Sequence, residues 1–131
     1  MQSFEIIAKK IQVVLPKDWV KVIFYAEVTD DSYEMFYYVF MPDQDKPIQC
    51  YDLPDLYEIE EEQIDDIFEE LYAPLLEEKT QLINDGKEPW TNYTLVLNGD
   101  GHFTVDFDFS SLEDGSYEYR KNWKEKYLTE E

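Results

Sequence analysis

The stretch from Ile59 to Trp90 constrains this chain more than any other. Apolar residues recur there at Ile64, Ile67, Phe68, Leu71 and Leu75, the spacing of three and four that lays one stripe of a helix against a core. Between and beside them stand many carboxylates. From Pro47 to Glu78 the chain carries 12 Asp and Glu residues and no Lys or Arg, against a formal net charge of -20 for the whole. Pro74 falls inside the helical pattern and is expected to kink the helix or split it in two. Gly86 is placed to end it, ahead of the turn Lys87-Glu88-Pro89-Trp90.

A helix selected only for stability would not carry this pattern. Read as one helix, Glu58/Glu62, Glu61/Asp65, Glu62/Asp66, Asp65/Glu69 and Asp66/Glu70 are like-charge pairs four apart, each unfavourable by roughly 0.2–0.5 kcal/mol. Their sum, on the order of 1–2.5 kcal/mol, is a noticeable part of a domain stability of about 5–15 kcal/mol. Two readings follow. The ordinary one is a solvated face kept acidic for solubility. The sharper one is a docking surface whose self-repulsion falls when a basic partner arrives, with fast and salt-sensitive association.

A length of 131 residues fits one domain, 1-131, with a real core, and contents of 44% hydrophobic and 17% aromatic residues argue against disorder despite the charge. The acidity argues against direct binding to nucleic acid or to anionic membrane, which needs Lys and Arg. It suits a basic protein partner, including one that itself binds nucleic acid. Cys50 is the only cysteine, so neither an internal disulfide nor a cysteine-based zinc site is expected. With no basic-then-apolar leader and no long apolar run, the expected location is the cytoplasm.

Along the chain, Phe4, Ile7, Ala8, Ile11 and Val14 mark one face of a first helix that Pro16 stops. Val20 to Val28 and Tyr33 to Met41 read as two strands joined at Thr29-Asp30-Asp31-Ser32. Both carry large residues on both faces, so one face should pack on helices and the other should be covered in part. Ile48 to Tyr51 has the pattern of a short edge strand ahead of the acidic helix. Tyr93 to Leu97 and His102 to Phe109 then form a hairpin through Asn98-Gly99-Asp100-Gly101. In its second strand Phe103, Val105, Phe107 and Phe109 alternate with Thr104, Asp106 and Asp108, the pattern of a half-buried strand. Beyond the Gly115 turn, Tyr119, Trp123 and Tyr127 recur at helical spacing, a row better explained by packing on the sheet than by ligand stacking. Arg120, Lys121, Lys124 and Lys126 beside them either pair with the acidic helix or mark a polar contact surface.

Catalytic patterns are missing. His102 is the only histidine, without a partner for a Ser-His-Asp or Cys-His system. Cys50 reads as a small apolar filler, and neither GxGxxG nor GxxxxGK[ST] occurs. The Asn98 to Gly101 turn lacks the spacing of a calcium loop. A glycosidase-like acid pair is not diagnostic among so many carboxylates.

Taken together, these segments resemble the YezG-like immunity proteins, antitoxins of bacterial nuclease toxins. The carriers are Ile7 and Ile11 before Leu15-Pro16-Lys17-Asp18-Trp19, the aromatic hairpin that follows, and an acidic helix ending at Glu88-Pro89-Trp90-Thr91. Phe103, Phe107-Asp108-Phe109, and Trp123 ahead of Tyr127-Leu128 complete them. The likeness covers nearly the whole chain, which reads as compact for the family and closes soon after Leu128. It implies an α+β fold, an antiparallel sheet of about four to five strands packed with helices in the order α-β-β-(β)-α-β-β-α. It also implies a non-catalytic protein without cofactors that binds and neutralises a cognate toxin, commonly a secreted polymorphic toxin with a C-terminal nuclease domain.

A nuclease needs a basic groove for phosphates, which an acidic helix can occupy or flank. On a helical wheel Glu58, Glu62, Asp66, Glu69 and Glu70 point away from the apolar stripe and are the expected partner-binding residues. Tyr57 and Tyr72 are the expected aromatic anchors. The alternatives are an adaptor or chaperone-like module for a secreted basic protein and, more distantly, an acid-rich hydrolase with a deep two-carboxylate pocket.

Overall fold

The computed structural model describes residues 3–109 and 116–128. Five antiparallel strands form one sheet in the order β3-β2-β1-β4-β5. They are β1 (Lys21–Val28), β2 (Tyr33–Phe40), β3 (Ile48–Gln49), β4 (Asn92–Asn98) and β5 (Phe103–Asp108). The β1–β2 turn is held locally: Thr29 N donates to Ser32 O at 2.9 Å, and Ser32 N returns a bond to Thr29 Oγ1 at 3.1 Å. The predicted edge strand pairs only at Ile48 and Gln49, because Cys50–Asp52 winds into a 3₁₀ turn in which Gln49 Oε1 accepts from Tyr51 N at 2.8 Å.

Because β1 is apolar on both faces, it must be covered twice. Val22, Phe24, Ala26 and Val28, with Tyr37, Val39, Tyr93 and Leu95, lie under α1 (Ser3–Ile11) and α3 (Glu61–Asn84), which contribute Ile7, Ile11, Ile64, Leu71 and Leu75. Ile23 and Tyr25 face the other way, onto Trp123 of α4 (Ser116–Leu128), with Phe36, Tyr38, Val96 and Tyr127 around them. Trp123 Nε1 donates to Thr94 Oγ1 at 3.0 Å, so the buried indole keeps a partner there. α3 and α4 therefore sit on opposite faces of the sheet. Among the described residues Lys121, Lys124 and Lys126 of α4 form no ion pair with the acidic helix, which leaves the other sequence reading, a polar contact surface, for this cluster. The Gly115 turn lies outside the described residues, as do the side chains of Tyr119 and Arg120.

Three further expectations are corrected. A short helix, α2 (Leu53–Leu56), precedes α3, and the backbone leaves it extended at Tyr57. Glu58 thus stands in a connector and not on the acidic helix, so the Glu58/Glu62 pair is not a helical pair. Next, α3 is not split at Pro74: it continues as one 24-residue element. Leu71 and Leu75, buried on both sides of the proline, anchor the two turns to one core, and packing outweighs one missing backbone bond. Finally, the alternation in β5 is real but its apolar face is not half-buried throughout. Phe103 and Phe107, with Phe109 just beyond the strand, are 47%, 47% and 48% exposed, because β5 is the last strand of the sheet; Val105 packs against the core under α1 and α3, and Phe107 meets Tyr93 edge-on at 5.3 Å with only part of its ring covered.

The end of α3 follows the sequence. Gly86 adopts φ +75, Lys87 N donates to Leu82 O at 2.8 Å and Gly86 N to Ile83 O at 3.0 Å. This paired closure satisfies carbonyls the helix would otherwise leave open.

Candidate partner-binding surface

α3 is presented by its own sequence. Glu60 N donates to Gln63 Oε1 at 2.8 Å at the helix start, and Glu61 and Glu62 in the first turn oppose the positive end of the helix dipole. The stripe Ile64, Ile67, Phe68, Leu71 and Leu75 is buried as the periodicity requires. Glu62, Asp66, Glu69 and Glu70 are exposed on the far side.

Little of this charge is neutralised from nearby. Lys10 Nζ of α1 pairs with Glu70 Oε1 at 2.8 Å, an exposed pair worth at most about 1 kcal/mol. Glu62, Asp66 and Glu69 have no ion-pair partner among the described residues. Lys79, the first base after the acidic run, turns inward instead. Its Nζ donates to Val28 O at 2.6 Å and lies 5.1 Å from the Trp90 ring centroid, and burial lowers its pKa. The like-charge pairs Glu61/Asp65, Glu62/Asp66, Asp65/Glu69 and Asp66/Glu70 therefore stay on one continuous helix.

Beside this face, α3 and the start of β2 enclose a cleft of about 520 Å³ lined by Tyr33, Glu34, Met35, Tyr51, Asp65, Phe68 and Glu69. Tyr51 Oη donates to Asp65 Oδ1 at 2.7 Å, and its ring meets Phe68 edge-on at 6.2 Å. Burial first, and the Asp65 carboxylate second, raise the Tyr51 pKa; burial, then Glu69 and Asp65, raise that of Tyr33. Both phenols thus stay protonated at neutral pH and offer donors and ring faces among three carboxylates. Such a cleft has the chemistry to take a Lys or Arg side chain.

The predicted anchors are less exposed than expected. Tyr57 is half-buried at the end of α2 and packs against the core. Tyr72 is also half-buried; its Oη donates to Thr29 O at 2.6 Å and its ring lies 5.2 Å from that of Tyr33. The accessible aromatics are Tyr33 and Tyr51, which sequence reasoning did not single out. Neither belongs to α3, and only the tertiary fold sets them beside it.

The residues considered for catalysis lie apart. Cys50 is fully buried next to β3, its thiol pushed up to about 11 by burial. His102 Nδ1 lies 3.0 Å from Asp100 Oδ2 on the exposed hairpin at the opposite side of the sheet. Among the described residues no three His, Cys, Asp or Glu side chains form a metal-binding group, and no helix is long and apolar enough to cross a membrane.

The family model for immunity protein YezG-like matches residues 1–131. This chain belongs to the YezG-like immunity protein family. It is 29% identical over 128 residues to immunity protein YezG of Bacillus subtilis, spanning 95% of this chain and 85% of that protein. The Bacillus spizizenii protein of the same name is 29% identical over 109 residues, 83% of this chain and 68% of the relative. The type VII secretion system protein EsaG of Staphylococcus aureus is 31% identical over 103 residues, 79% of this chain and 63% of EsaG. The α+β fold implied by the family resemblance is the one observed.

Proposed function

We propose that this protein neutralises a cognate toxin by binding it through the acidic face of α3, and that the toxin is a nuclease with a basic substrate groove. The observation that carries this reading is the exposed row Glu62, Asp66, Glu69 and Glu70, kept together on one helix without compensating bases at Glu62, Asp66 or Glu69. Glu58 in the adjoining connector extends the same negative field. The cleft between Tyr33, Tyr51, Asp65 and Glu69 receives a basic side chain of the toxin, and Tyr72 supports Tyr33 from behind. Tyr57 acts by packing at the end of α2. The protein has no catalytic role, needs no cofactor and works in the cytoplasm, before the toxin leaves the cell that makes it.

The test is co-purification with the product of the adjacent gene, followed by a nuclease assay of that product with and without this protein. Near-stoichiometric loss of nuclease activity, weakened as salt is raised, is the expected result. Charge reversal at Glu62, Asp66, Glu69 and Glu70 that leaves affinity unchanged would remove this face from the site. The likeness to a type VII secretion system protein keeps one second reading in view, an adaptor for a secreted protein. Tight binding with nuclease activity intact would establish that instead.

A further inference from the structure

β5 ends the sheet, and among the described residues no strand pairs with its outer edge. Its phenylalanines stand on the same side as α1 and α3. Phe103 stacks on Phe4 at 4.5 Å, and Phe107 lies 6.4 Å from Trp90. Between β5 and the C-terminal part of α3 is a groove of about 530 Å³ with Leu82, Trp90, Phe107 and Phe109 as apolar walls, lined also by Glu78, Lys87 and Glu88. A single exposed aromatic needs no explanation. Half-exposed Phe103 and Phe107 on one face of an edge strand, with Phe109 just beyond it, form an apolar patch beside a template for pairing.

We propose that an extended segment of the toxin adds to β5 as a further strand, seating apolar side chains in this groove and carrying basic residues on either side of them. Charge selects this occupant over a second copy of the chain. Each copy carries a net charge of -20, so edge-to-edge pairing would bring two strongly acidic bodies together. A basic segment meets the exposed Glu88 at the groove and, more widely, the negative field of the whole chain. Main-chain bonds along the edge supply affinity, and the pockets between alternate side chains supply specificity. The inference rests on the immunity reading and divides its labour: α3 steers the toxin, while the β5 groove supplies the desolvated apolar anchor.

The probe is the toxin domain encoded beside this gene, carrying an inactivating substitution in its own active site. Hydrogen exchange of the wild-type complex should show new protection at β5 amides that do not pair with β4. The double variant Phe107→Ser/Phe109→Ser should bind the toxin domain about 30-fold more weakly or worse while keeping the far-UV spectrum of the parent. Should wild type bind the toxin but show no β5 protection, with the double variant equally tight, the β5 contact is wrong and the immunity reading stands. Failure of the wild type to bind at all would overturn both. If the free protein is a dimer that the double variant dissociates, the edge serves self-association and the proposal also falls.

Discussion

Gly99 and Gly86 restrict the chain for different reasons, and the difference is measurable. A Cβ on Gly99 would stand 3.1 Å from Val20 O and 3.2 Å from Trp19 O, both backbone atoms of the segment entering β1. Gly99 N also donates to Val20 O at 2.7 Å. Gly99→Ala should therefore cost about 1–3 kcal/mol through overpacking. At Gly86 nothing lies within 4 Å, but φ is +75, so Gly86→Ala should cost only the left-handed backbone penalty of about 1–2 kcal/mol. Urea midpoints of the two variants check both values. Cys50 supplies a third residue-scale test. Its folded pKa is raised from 9.0 to about 11 by burial. The folded state then holds a proton that the unfolded chain releases first, so this contribution is complete below pH 9 and is lost as pH rises through about 11. Cys50→Ala should flatten the fall in stability between those limits, and in wild type a thiol reagent at pH 8 should label Cys50 only on unfolding.

At the scale of the element, α3 shows a conflict between stability and surface charge. Asp66 lies four residues from both Glu62 and Glu70, so Asp66→Lys turns two like-charge pairs into two opposite-charge pairs. From pair energies of roughly 0.2–0.5 kcal/mol, the gain is about 1–2 kcal/mol at low ionic strength and fades as salt is added. Thermal unfolding at two salt concentrations checks this, and toxin affinity should fall in the same variant. The element was readable as a helix because its stripe has a period near 3.6 and Gly86 closes it. Its start was less readable. Acidic residues recur from Asp52 through α2 and the connector into α3 with no Lys or Arg before Lys79, so composition did not mark where one helix ended and the next began. Pro74 misled for the opposite reason: a local breaker was overruled by the buried leucines beside it.

For the whole molecule, a charge of -20 spread over 131 residues opposes compactness through self-repulsion. Raising sodium chloride from low ionic strength to about 0.5 M should raise the melting temperature of the free protein and weaken its complex, because screening relieves repulsion in the one and removes steering in the other. Calorimetry and binding isotherms over one salt series separate the two effects. The sequence by itself determined the strand alternation, the acidic stripe, the hairpin at Gly99 and the helix stop at Gly86. Each depends on residues within a few positions of one another, where side-chain period and backbone sterics suffice. The tertiary structure alone decided which face of β1 each helix covers, that α3 and α4 lie on opposite faces of the sheet, and that Tyr33 and Tyr51 join Asp65 and Glu69 in one cleft. It also left the phenylalanines of β5 at the sheet edge. Burial depends on what the rest of the chain brings alongside, and an alternating pattern looks the same in a central strand and in the last one.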